Sequence, residues 1–327
     1  MMRLLCVVAG NGIHTFVWKE GSWHGLEQGH LEAPGTCVLA HAGALIVGTR
    51  RGMVRSGDLG RTWSESGAGL TLPHVRWLAC RGPGLPDVYA GTEPAGLFVS
   101  GDEGRTWHGC PEVERLRDRF GWSLPYSPEA GCVRGFAFHG SRGYAAVEVG
   151  GLLRSDDAGR SWRLPDGSTG QPKPSSPCSG FIHSDVHSVE VHPSSADRVF
   201  APTGGGLFAS RDGGATWECL YECYCRAVWL DPADPDHLIL GPADGVAVGG
   251  RIEQTHDGGR TWRAATGGLD APWSRQMVER FVRAGDQLLA LVTGGRLLAA
   301  PVSTLSWRQI LDRIEGIAAA AVLEAED

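Results

Sequence analysis

The chain has 327 residues, with 30 lysines and arginines against 37 aspartates and glutamates, a formal net charge of −7. That balance, without any run of basic residues, excludes a global field for holding nucleic acid. A hydrophobic content of 42% with 48 glycines and 19 prolines excludes disorder and indicates one turn-rich packed domain over residues 1–327, with no linker to divide it.

In chain order, the first element is an apolar strand, Arg3-Leu-Leu-Cys-Val-Val-Ala9. It lacks the basic flank and cleavage pattern of an export signal, and no segment reaches the length of a transmembrane helix, so a cytoplasmic protein is expected. A strand-like stretch then leads to Trp23. From there the chain settles into a repeated unit: a strand, a hairpin into a second strand ending in Gly or a small residue, a third strand, an eight-residue turn, and a fourth strand opening at Trp. Leu85 to Trp107 shows the plan, with Val88-Tyr-Ala-Gly-Thr92 and Gly96-Leu-Phe-Val-Ser100 as β-branched and aromatic runs bounded by Gly and Pro.

The turn recurs five times: Ser56-Gly-Asp-Leu-Gly-Arg-Thr-Trp63, Ser100-Gly-Asp-Glu-Gly-Arg-Thr-Trp107, Ser155-Asp-Asp-Ala-Gly-Arg-Ser-Trp162, Ser210-Arg-Asp-Gly-Gly-Ala-Thr-Trp217 and Thr255-His-Asp-Gly-Gly-Arg-Thr-Trp262. Its Asp is suited to accept backbone N–H bonds, its Gly to take the left-handed conformation, and its Thr-Trp pair to open a strand. Five near-identical copies cannot all line one active site, so Asp58, Asp102, Asp157, Asp212 and Asp257 are read as hairpin staples.

Trp23 and Trp307 extend the series to seven tryptophans spaced 40 to 55 residues apart, the length of a four-stranded blade. The prediction is an all-β, seven-bladed β-propeller whose last blade joins the N-terminal strand to the C-terminal run Gly316-Ile-Ala-Ala-Ala-Ala-Val-Leu323. Were that alanine-rich tail a helix instead, a six-bladed ring would follow. The two longest spacings carry loop insertions near 111–130 and 165–182. The first combines alternating charges with Phe120-Gly-Trp-Ser-Leu-Pro-Tyr126, which predicts a short helix and an aromatic flap whose Trp122 and Tyr126 cover a ligand. Nine scattered cysteines, an odd count, predict reduced thiols.

The Ser-x-Asp-x-Gly-x-Thr-Trp core resembles the Asp-box, or BNR repeat, of sialidases, sortilin-type receptors, two-propeller xyloglucanases and photosystem II assembly factors. The resemblance runs from about Leu45 to Trp262 and implies a propeller while leaving activity open. Sialidases use an arginine triad with a Tyr/Glu nucleophilic pair, which invites comparison with Arg76, Arg134, Arg226, Glu148 and Tyr224; their Arg-Ile-Pro motif is absent here. The assembly factors are single seven-bladed rings with an arginine patch that binds partner proteins, which implies a non-enzymatic scaffold as the alternative function.

Aligning the inner strands gives His74-Val-Arg76, Cys132-Val-Arg134, Asp185-Val-His187 and Tyr224-Cys-Arg226, with Arg76, Arg134, His187 and Arg226 in one register. Equal register in a ring means equal height, and guanidinium forks suit carboxylate, sulfate or phosphate, so the expected function is binding of a small anionic ligand at the channel mouth. Glu93 and Glu148 sit at matching ends of second strands. With His187 and Tyr224 they are catalytic candidates for glycoside hydrolase-like or lyase-like chemistry on an anionic substrate. Residues two apart on a strand share a face, so His183, Asp185 and His187 form a candidate site for a divalent metal such as zinc. The expected partner is a small anionic ligand or a protein; nucleic acid and membrane are not expected.

Overall fold

The computed structural model describes residues 2–82, 84–124, 126, 131–173 and 179–325. Apart from one helix, Pro111–Phe120, the regular elements among these are strands. They form seven antiparallel sheets, six of four strands and one of three, each sheet a blade of a β-propeller. By contact the chain falls into two compact units, Met1–Ala90 with Phe98–Gly109 and Phe281–Asp327, and Gly91–Leu97 with Cys110–Arg280.

The blade of Gly35–His41, Ala44–Thr49, Gly52–Ser56 and Ser64–Glu65 shows why these sequences make blades. Every residue of Ala44–Thr49 is buried. Leu45 and Val47 pack with Leu4, Val8 and Ile13 on one side, while Ile46 packs with Val75, Leu78 and Trp107 on the other. A middle strand covered on both faces therefore reads as a continuous apolar run, and the alternation that a one-sided sheet would show is lost.

The five repeated turns share one hydrogen-bond pattern. In the first, the Ser56 hydroxyl donates to Asp58 and accepts the Gly60 N–H, while Asp58 accepts the Thr62 N–H at 2.9 Å and the Thr62 hydroxyl at 2.7 Å. The same bonds recur around Asp102, Asp157, Asp212 and Asp257. Gly60 has φ of 95°, a conformation costly for any residue with a Cβ. Donation from the Thr62 backbone and hydroxyl holds the Asp58 carboxyl at about 2. The aspartates are thus consumed by local structure, as expected.

The tail is a strand. Ile317–Ala325 pairs antiparallel with Met2–Ala9, matching Leu5 with Val322 and Cys6 with Ala321, and so completes a sheet whose other strands are Gly12–Lys19 and Ser22–His30. Alanine favours a helix in isolation, but here Ala319 and Ala320 are buried against adjoining strands and the ladder to Met2–Ala9 decides the conformation. Trp23 and Trp307 fall in or beside outermost strands, as the repeat predicts.

The sheet of Cys132–His139, Arg142–Glu148 and Gly151–Ser155 has three strands; Arg154 and Arg163 exchange a pair of backbone hydrogen bonds where the fourth would lie. The helix before it starts with Pro111 and ends at Gly121, whose left-handed conformation lets its N–H cap the Arg117 carbonyl. Glu112 on this helix accepts the Trp162 N–H at 3.0 Å, tying the insertion to the next turn. The described cysteines are all free thiols. Among the described residues no helix is long and apolar enough to cross a membrane.

Candidate functional site

Two β-bulges aim the central side chains. Where Cys132–His139 pairs with Arg142–Glu148, the register shifts between Val133 and Gly135 and leaves Arg134 out of the ladder. Where Tyr224–Leu230 pairs with Leu238–Ala243, it shifts between Cys225 and Val228, a span that holds Arg226. A bulge re-aims the residue it frees. The first strand pair also sets Cys132 directly opposite Glu148.

Glu148 is 5% exposed and fully engaged. Its Oε2 accepts from Arg134 Nη1 and from the Cys132 thiol, each at 3.1 Å, and its Oε1 accepts from the Tyr126 hydroxyl at 2.9 Å. Burial pushes its carboxyl up, but the charges of Arg134 and His187 and the Cys132 and Tyr126 donors outweigh that and hold it at about 2. It is therefore a fixed anion at neutral pH. Burial works against the Arg134 charge, and Glu148 more than offsets it.

The His187 ring is buried, with Nδ1 2.7 Å from the Cys225 carbonyl oxygen. A carbonyl only accepts, so Nδ1 carries a proton and Nε2 faces outward, 3.2 Å from Asp185 Oδ2 and 3.3 Å from the Tyr224 hydroxyl. Burial pushes the Asp185 carboxyl up, but its contact with His187 outweighs that, so the net shift is downward. Gly204 makes room for this carboxylate, since a Cβ there would lie 2.5 Å from Asp185 Oδ2. The Tyr224 hydroxyl accepts from Arg226 Nη2 at 3.0 Å, and Arg226 Nη1 contacts both Glu279 oxygens at 2.8 and 2.9 Å. Burial raises the Tyr224 phenol, and the lowering by the nearby Arg226 and Arg134 does not cancel it.

One connected chain thus runs Glu279, Arg226, Tyr224, His187, Asp185, with Glu148 and Arg134 beside its end. Ligand atoms of Glu148, Asp185 and His187 all lie within 4.8 Å of one another. Against two arginines stand three carboxylates, so with a neutral His187 the constellation carries a net charge of −1.

The predicted residues divide clearly. Arg134, His187, Arg226, Glu148, Tyr224, Asp185 and Tyr126 come together. Each arginine spends part of its fork on a carboxylate, so the site is a mixed-charge network where a basic pocket was expected. His183 is not in the group that could hold an ion: its Nδ1 accepts the Asp185 N–H at 3.1 Å, closing the turn into the strand, and Glu148 takes the third place. Trp122 is no ligand cover. It is 1% exposed, donates to the Gly170 carbonyl at 2.8 Å and stacks on Phe120, clamping one insertion to the other. Tyr126, 64% exposed, does reach the site through its hydroxyl. Glu93 lies in the half-buried turn after Val88–Thr92, and Arg76 lies on Val75–Cys80 of the first unit.

Glu279 and Cys132 were missed. Met277-Val278-Glu279 repeats the Cys132-Val133-Arg134 register with a carboxylate in the arginine's place, a signal visible in the sequence once acids are admitted to the alignment. A cleft of about 700 Å³ lined by His30, Arg51, Trp63, Ser66 and Arg105 lies in the first unit and assembles no comparable network.

No family model matches the chain, and no curated protein sequence matches it. Solved structures do. The chain is similar to the GH74 xyloglucanase from Xanthomonas campestris at 15% identity and a TM-score of 0.62, over 95% of this chain and 47% of that one. It spans 38% to 47% of the GH74 enzymes it matches. YCF48 bound to D1 peptide aligns at 15% identity and a TM-score of 0.60, over 90% of this chain and 87% of that one. A candidate 6-phosphogluconolactonase from Bacteroides uniformis aligns at 12% identity and a TM-score of 0.64, over 98% of this chain and 99% of that one. At such identities the likeness establishes a β-propeller fold, shared by enzymes and by a peptide-binding protein.

Proposed function

We propose that this propeller binds a small anionic ligand over the inner-strand ends that carry Arg134, His187, Tyr224 and Arg226. The observation that carries the reading is the state of Arg134. It is largely enclosed and meets Glu148 through one nitrogen of its fork, Nη1, so that most of its five N–H donors point away from that carboxylate. An enclosed guanidinium with spare donors beside a Tyr–His pair suits a carboxylate, sulfate or phosphate held at one edge. The five Ser-x-Asp-x-Gly-x-Thr-Trp turns support grouping the chain with Asp-box propellers, whose known members include both enzymes and binding proteins. If turnover occurs, it is of the hydrolase or lyase kind: His187 and Tyr224 supply proton transfer, and Glu148 serves as a carboxylate, since a group held near 2 donates no proton at neutral pH.

The test is a thermal-shift and calorimetric screen of acidic sugars, simple carboxylates, sulfate and phosphate. Saturable binding of one class, weakened at least about tenfold in Arg134→Lys, which keeps the charge and loses the fork, is the expected result. The second reading, a protein-binding scaffold, rests on Val246 and Val248, both more than half exposed on the turn after Leu238–Ala243. A screen without hits would favour it.

A further inference from the structure

We infer that Glu148, Asp185 and His187 hold a divalent first-row transition metal ion, whose open positions accept an oxygen of the anionic ligand. The inference rests on the binding reading above and names how that site works. Four observations support it, and none depends on the others.

The first is spacing. Three donor atoms within 4.8 Å of one another come from two blades, one from the end of Arg142–Glu148 and two from the residues entering Glu190–Val191, and the ring of His187 is pinned to Cys225 of a third. Metal–ligand bonds of about 2.0–2.2 Å separate neighbouring donors by roughly 3 to 4 Å, so the set lies close to bonding distance as it stands.

The second is the tautomer. Because His187 Nδ1 is committed to a carbonyl, the lone pair of the neutral ring sits on Nε2, aimed at an ionised carboxylate oxygen 3.2 Å away. When the ring is neutral, Nε2 and Asp185 Oδ2 are both acceptors, and a cation between them satisfies both. A ring with its far N–H anchored on a carbonyl is also how proteins prepare a histidine for a metal.

The third is Asp185 Oδ1, which is buried and has no hydrogen-bond partner. A carboxylate oxygen so placed is costly, and an ion removes the cost. The fourth is the surrounding shell. Arg134, Cys132 and Tyr126 orient Glu148, the Cys225 carbonyl orients the His187 ring, and the two neighbouring carboxylates of Glu148 and Asp185 favour a cation. One imidazole with two carboxylates suits Mn²⁺, Fe²⁺, Co²⁺ or Zn²⁺ better than Mg²⁺ or Ca²⁺, which prefer all-oxygen sites. Three protein ligands leave coordination positions free, and Arg134 stands beside them to take the rest of the ligand's charge.

The competing occupant is a proton: an imidazolium at His187 would pair with Asp185 directly. Calorimetry of chelator-treated full-length protein with Mn²⁺, Zn²⁺ and Ca²⁺ separates the two. The expected result is one Mn²⁺ or Zn²⁺ per chain, with Ca²⁺ weaker, a loss of at least about tenfold in affinity in Asp185→Asn, and no change in His183→Gln. Pulsed EPR of the wild-type Mn²⁺ complex should show coupling to an imidazole nitrogen, a readout that needs no variant to fold. Absence of saturable Mn²⁺ and Zn²⁺ binding, or binding that survives Asp185→Asn and lacks nitrogen coupling, overturns the inference. Anion binding unchanged by the chelator keeps the ligand site and removes the metal; metal binding without any anion keeps the metal and removes the ligand reading.

Discussion

Glu148 and Arg134 form the tightest electrostatic unit of the site, and each is costly alone. Both side chains are largely enclosed, so Glu148→Gln leaves a guanidinium without its counter-charge, at a cost of about 3 kcal/mol. Chemical denaturation at pH 7 measures it. The pH dependence follows from the depressed carboxyl. Glu148 sits at about 2 in the folded protein against an ordinary 4.5, so its stabilisation is complete above about 4.5 and fades as pH falls towards 2. The stability gap between wild type and Glu148→Gln should therefore shrink across that window; a gap that stays constant from pH 7 to pH 3 contradicts the assignment. At this scale the sequence was legible where register decides position, as for Arg134, His187 and Arg226. It was opaque where a bulge decides aim, because no residue type marks the shifts beside Val133 and Cys225. Trp122 shows another limit: an aromatic flanked by Gly and Ser looks the same whether it covers a ligand or packs on Phe120.

At the scale of the element, the turn and its tryptophan act together. Trp162 is 3% exposed, packs against Phe136 and Phe138 and donates to the Gly159 carbonyl of its own turn. Trp162→Ala should cost about 3–5 kcal/mol, read from the shift in denaturation midpoint at constant slope. The equivalent change at Trp63, which is only partly buried, should cost less. These elements were readable because one eight-residue pattern states turn, cap and strand start at once. The fourth strand after Trp162 was not, since Arg163 keeps a single bridge and no strand. The helix Pro111–Phe120 was readable from its own punctuation, with Pro at its start, acids in the first turn, bases in the last and Gly121 beyond.

For the whole molecule, the tryptophan spacing foretold seven blades, and the pairing of Met2–Ala9 with Ile317–Ala325 excludes the six-bladed alternative. What composition left undecided was the tail, because alanine is compatible with either conformation until a partner strand is present. Ending the chain at Glu315 removes the strand beside Met2–Ala9 and uncovers Leu4, Leu5, Cys6, Val7 and Val8, all buried in the full chain. The truncated protein should elute as aggregate from size exclusion and lose cooperative thermal unfolding. A monomer with unchanged melting would show that the closing strand is dispensable.

That closing strand also sets a timetable for synthesis. A nascent chain presents the Met2–Ala9 backbone early, yet its inner neighbour is encoded more than three hundred residues later. At about 5–20 residues per second the ribosome keeps that edge unpaired for roughly 15 to 60 s. For that interval an apolar strand lies open to any other extended segment in reach, and on a crowded polysome the nearest such segment belongs to a sister chain. Expression yield should then respond to translation speed, and co-expression of a chaperone that shields extended apolar segments should raise it.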